Sequence, residues 1–229
     1  MEIVAAIALG MGAAWASGIN LYATMATLGL LGATGHMHLP PDLQILAHPV
    51  VIAAAAFMYC VEFFADKTPG VDTGWDTIHT FIRIPAGAVI AAGALGDISP
   101  AAQVAALIIG GGLATTSHTL KAGTRVLINT SPEPVSNWVA STAEDAAVFG
   151  GVILAVYQPE VFLGLLAVFL AAAAWALPRL WRAIRTLLAR LARLFGRTVP
   201  VPAEGAPAGD AGGRLPALGL GGRRALPPE

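Results

Sequence analysis

Charge is scarce along most of this chain, and where it is missing limits the fold more than any other feature. Charge-poor apolar windows run from Ile3 to about Ala33, about Leu43 to Phe64, about Trp75 to Leu95, about Ala101 to Ile128, about Trp138 to Val156 and about Val161 to Leu177. A helix of about 20 apolar residues spans the hydrocarbon core of a bilayer, so each window is a candidate crossing. Only 12% of the residues are charged, against about 25% in a soluble domain. With 56% hydrophobic residues and a mean hydropathy of +0.70, the chain has too little polar material to coat a water-soluble core. The expected fold is all-α: a polytopic transmembrane bundle of about six spans, with broken or re-entrant segments.

Local signals refine the spans. The first window is too long for one straight crossing, and Ser17-Gly18-Ile19-Asn20 interrupts it with poor helix formers. It reads as a kinked span or a re-entrant pair. Its start carries Glu2 and no Lys or Arg, which favours a retained span over a signal peptide. The TGHMHLPP stretch from Thr34 to Pro41 ends it as a loop, leaving His36 and His38 exposed. Pro85 lies inside the third window, Asp97 or Ser99 with Pro100 suits the start of the fourth, and Gly110-Gly111-Gly112 thins that one. The lone Cys60 excludes an internal disulfide and any CxxC site.

Beyond Pro178 the pattern changes. Leu180, Ile184, Leu187, Leu188, Leu191, Leu194 and Phe195 fall on one helical face, with Arg182, Arg185, Arg190, Arg193 and Arg197 mostly opposite. This divides the chain into a transmembrane domain (1–178), an amphipathic basic helix (179–197) and a Pro/Gly/Ala-rich tail (198–229) expected to be disordered. The basic helix suits anionic lipid; docking on a partner or on the protein's own core is the rival reading. The positive-inside rule puts the C-terminus in the cytoplasm. Nothing outlines a nucleic-acid site, and homo-oligomerisation stays open.

Two stretches echo each other. EFFADKTPGVDTGW (Glu62 to Trp75) aligns without a gap to RVLINTSPEPVSNW (Arg125 to Trp138), and GMGAAWASGINLYAT (Gly10 to Thr24) resembles GGGLATTSHTLKAGT (Gly110 to Thr124). The two echoes need different offsets. An internal repeat of the kind that frames transporter sites is one reading, and chance similarity of Gly/Ala-rich segments is the other.

Ionisable groups retained in hydrocarbon are functional candidates by default. Asp72, Asp76, His79 and Arg83 share one face of the third helix, with Ile78 and Ile82 opposite. His118, Lys121 and Arg125, flanked by hydroxyls, form a basic stripe on the fourth that would suit an anionic ligand. Asn137, Ser141, Glu144 and Asp145 on the fifth would neutralise that stripe, though adjacent Glu144 and Asp145 cannot both face one partner. The bland reading of all three stripes is a set of internal ties. Asn20, with Ser17, could line a cavity at the break. Glu62, Asp66 and Lys67 close the second span. Asp66, Asp72 and Asp76 are weak metal candidates, since no established ligand spacing is present. There is no P-loop, dinucleotide fingerprint or nucleophile elbow, and no cofactor is expected.

The strings ASGINLYAT, EFFADKTPGVDTGWDTIHTFIRIPAGA and SHTLKAGTRVLINTSPEPVSNW resemble a bacterial integral membrane family known only as a domain of unknown function, number 4126. The resemblance covers roughly residues 10–155 and implies a bacterial cytoplasmic membrane protein, with no activity to carry over. The leading functional expectation is a small transporter or channel for an anionic or proton-coupled solute. A metal-dependent enzyme acting on lipid head groups and a structural or assembly subunit are the alternatives.

Overall fold

The computed structural model describes residues 3–96, 99–130 and 135–194. The described chain is helical throughout: α1 (Ile3–Ala33), a 3₁₀ turn (Pro41–Ala47), α2 (Pro49–Ala65), α3 (Val71–Ala94), α4 (Pro100–Ile128), α5 (Val135–Tyr157) and α6 (Pro159–Leu194). Helices α1, α3, α5 and α6 are long and apolar enough to cross a membrane. The 3₁₀ turn and α2, bent by 68° to each other, add a fifth crossing if they count as one broken span. The expected six thus become four to five by this measure, because α4 is long enough but less apolar. The protein is an all-helical membrane bundle.

Its distribution of side chains is inverted relative to a soluble protein. Phe57, Phe64, Ile78, Phe81, Val89, Ile108, Val139 and Val168 are exposed, while every Lys and Arg before Pro178 is buried. Lipid accounts for both, since it accepts an apolar exterior and forces ions inward.

α1 is the central helix, packing on all five others, with most residues from Ala8 to Gly29 buried. Small residues allow this closeness. A Cβ on Gly18 would collide with the Ser117 hydroxyl and the Ala114 carbonyl of α4. Halfway along, Asn20 leaves helical geometry (φ −147°, ψ 98°). Its side-chain oxygen accepts from the Ala23 N–H at 2.9 Å and so caps the second half of the helix. That N–H would otherwise bond the Ile19 carbonyl, which instead accepts from Lys121 Nζ at 3.0 Å. Ser117 Oγ bonds the Trp15 carbonyl at 2.8 Å. The first run is therefore one kinked helix, not a re-entrant pair.

Boundaries elsewhere follow local chemistry. Pro49 starts α2 after His48, splitting a window that reads as one span by hydropathy. Ser99 caps α4 through Ala102 N. Gly70, at φ 84°, turns the chain into α3 one turn ahead of the expected start at Trp75. α6 continues through Pro178 rather than stopping there. Arg179 Nη1 donates to the Trp175 carbonyl at 2.6 Å, and Arg182 Nε to that of Pro178 at 3.4 Å, solvating backbone around the proline. The expected tail at 198–229, with Phe195 and Arg197, lies outside the described residues.

Candidate functional site

The stripes foreseen on three helices converge on α1 and on each other. α3 presents Asp72, Asp76, His79 and Arg83 on its buried face, while Ile78 and Ile82 face outward. α4 presents Ser117, His118, Lys121 and Arg125, and α5 presents Asn137, Ser141 and Asp145, with Glu144 partly buried. Glu62 near the end of α2, with Asp66 and Lys67 just beyond it, completes the set.

Lys121 sits at the centre. Its Nζ lies 2.6 Å from Asp66 Oδ2, 3.6 Å from Glu62 Oε1, 3.7 Å from Glu144 Oε2 and 3.8 Å from Asp76 Oδ1. Arg83 bridges Glu62 at 2.6 Å and Asp76 at 2.8 Å. Arg125 binds Glu144 at 2.6 Å and the backbone and side-chain oxygens of Asn137. The neighbours Glu144 and Asp145 do part company: Asp145 turns to Asn20 Nδ2 at 3.2 Å and to Lys67 Nζ at 3.9 Å. Lys67 also donates to Ser141 Oγ and lies 3.1 Å over the Phe63 ring. Burial pushes its ammonium below the usual lysine range, against the pull of Asp145 and Asp66.

Asp72 stands apart. At the start of α3 its Oδ1 accepts from the N–H groups of Gly70 and Thr73 and from Asn129 Nδ2 at 2.7 Å, so backbone dipoles and amides balance its charge. Asn137 Nδ2 donates in turn to Asn129 Oδ1 at 2.8 Å, tying the start of α5 to the end of α4. Asp66 and Asp76 are committed to Lys121 and Arg83. Of the weak metal candidates, Asp66 and Asp76 meet at Lys121 while Asp72 lies apart, and among the described residues no three or more His, Cys, Asp or Glu side chains are grouped as a metal site.

The surroundings of His79 fix its ring proton. His79 Nδ1 lies 2.9 Å from the Trp75 carbonyl, which only accepts, so Nδ1 carries the proton and Nε2 accepts from Tyr22 OH at 3.1 Å. His118 Nδ1 lies 3.4 Å from Arg83 Nη1 and its Nε2 lies 2.7 Å from Thr80 Oγ1. Glu62, Tyr22, Thr80 and Asn129 were not among the expected site residues. Glu62 carried a usable signal: an acid four residues before Asp66, on the same face of an otherwise apolar helix. The other three are ordinary polar residues until the fold brings their partners near.

Counting charge decides what the arrangement can hold. With Asp72 balanced locally and Lys67 set against Asp145, four carboxylates (Glu62, Asp66, Asp76, Glu144) face three cations (Arg83, Lys121, Arg125). Buried oxygens of three of those acids, Glu62 Oε2, Asp66 Oδ1 and Asp76 Oδ2, have no hydrogen-bond partner. One acid is in excess.

Against known families, residues 7–179 match the model described as "Domain of unknown function (DUF4126)". The chain belongs to this family. The DUF4126 region takes in the whole ion network and ends where the arginine-rich half of α6 begins. No curated protein and no solved structure matches the chain.

Proposed function

We propose that this DUF4126 protein is a proton-coupled membrane carrier, with the carboxylates around Lys121 as its proton site. The observation that carries the reading is the excess of one buried acid over the cations that face it. An unbalanced carboxylate inside a bilayer costs several kcal/mol, so a proton shared among Glu62, Asp66, Asp76 and Glu144 is the cheapest remedy. The break at Asn20 adds support, because Lys121 binds both the acids and the freed Ile19 carbonyl. A change of protonation there is felt directly at the kink of the central helix.

The anionic half of the expectation has no such support. Arg83, Lys121 and Arg125 each have a carboxylate at 2.6 Å, so an incoming anion would have to compete with an acid already in place. These close ion pairs favour a structural subunit as the second reading. We place the chain in a bacterial cytoplasmic membrane with the arginine-rich end of α6 on the cytoplasmic side against anionic lipid, as the positive-inside rule directs.

The test is solute-driven proton movement in proteoliposomes with a trapped pH dye, across a panel of amines, sugars, carboxylates and inorganic ions. The reading expects at least one class to move protons, and a Lys121→Met/Asp66→Asn pair to abolish that movement. The double change keeps the charge balance, so the fold should persist. A silent panel, or unaltered coupling in the double variant, leaves the structural subunit as the better account.

A further inference from the structure

A cleft of about 310 Å³ lies between α3, α4 and the C-terminal half of α6, beside the ion network. Its inner side carries Asp76, His118 and a row of threonines from both helices; its outer wall is Leu177, Leu180, Trp181 and Ile184 of α6. Three of the four lining threonines already use their hydroxyl protons, Thr73 toward Asp72 Oδ1 at 3.3 Å, and Thr119 is the exception. Thr77 donates to the Thr73 carbonyl at 2.7 Å and Thr80 to that of Asp76 at 2.9 Å. His118 Nε2 and Thr80 Oγ1 are bonded to each other at 2.7 Å. Beside the Thr119 hydroxyl, what remains are acceptors: the lone pairs of the α3 hydroxyls and Asp76, which is 1% exposed and whose Oδ2 has no hydrogen-bond partner. None of the arginines of α6 lines the cleft. Such a surface is richer in acceptors than in donors and suits a head group that only donates, above all an ammonium with its three N–H bonds. The wall asks for the opposite chemistry, an apolar body. Trp181, 62% exposed, offers a ring face to a cation.

We propose that this cleft binds a small organic amine, with its ammonium toward Asp76 and the α3 threonines and its apolar part against α6. As the substrate of a carrier the amine rests on the proton-coupled reading, since arrival of its charge at Asp76 would release the proton shared there. As a ligand it stands on the cleft alone.

The experiment is calorimetric titration of the full chain in lipid nanodiscs with 2-phenylethylamine, with 2-phenylethanol as the matched neutral probe. Saturable binding of the amine is expected, with the alcohol at least about tenfold weaker. Trp181→Ala and Thr77→Val lie outside the ion network, so each should weaken the amine about threefold to thirtyfold without lowering the melting temperature. Equal affinity for amine and alcohol, no amine binding, or unchanged affinity in both variants would overturn the assignment. Proton movement driven by other solutes without amine binding sinks this proposal alone. Amine binding without any solute-driven proton movement sinks the carrier alone.

Discussion

Each of the four basic residues before Pro178 is buried, and each has an acid or a π face as its neighbour. Removing one partner of such a set is far worse than removing both, because the survivor keeps its desolvation cost. Arg83→Met should therefore lower stability by about 3–5 kcal/mol, seen as an earlier melt in detergent. Adding Glu62→Gln to it should recover part of that loss. A double variant no more stable than the single one would mean that Arg83 matters for its shape and not its charge. At Gly18 the constraint is steric. Gly18→Val pushes a side chain into the Ser117 hydroxyl and the Ala114 carbonyl, and should cost about 1–3 kcal/mol or more by the same measurement.

Among the elements, α1 depends on its kink. Asn20→Ala removes the cap on Ala23 and the bond to Asp145 together, and should destabilise by about 1–2 kcal/mol. It should also raise hydrogen exchange at the Ala23 amide, which a loss confined to the Asp145 bond would leave protected. The poor helix formers from Ser17 to Asn20 made this break legible in the sequence, as helical spacing did the buried faces of α3, α4 and α5. Other features were not legible. Hydropathy cannot tell that Pro49 bends its window by 68°, since a proline at a first helical position costs nothing in apolarity. A change of composition after Pro178 suggested a boundary, yet α6 runs on, with arginine side chains bonding the carbonyls of Trp175 and Pro178. Nor does spacing along one helix reveal which cation meets which acid. The excess acid emerges only when α2, α3, α4 and α5 are counted together.

For the whole molecule, the lone cysteine is a built-in depth marker. Cys60 is exposed on α2, in the stretch between Phe57 and Phe64, both of them 67% exposed. In a bilayer that face meets acyl chains. A lipophilic maleimide should label Cys60 in intact membranes, and a charged thiosulfonate should do so only after detergent is added. Labelling by the charged reagent in intact membranes would place that face in water and contradict the bundle's orientation toward lipid. The ion network also bears on how such a chain is made. Ribosomes release helices in order, so Glu62 leaves before Arg83, Lys121 waits for neither, and Arg125 meets Glu144 only when α5 follows. Until then α3 and α4 carry charges that neither could take into lipid alone. The insertion machinery must hold these segments in a wet or proteinaceous vestibule until α5 arrives, so a nascent chain cut short after α4 would be a substrate for quality-control proteolysis rather than a smaller bundle.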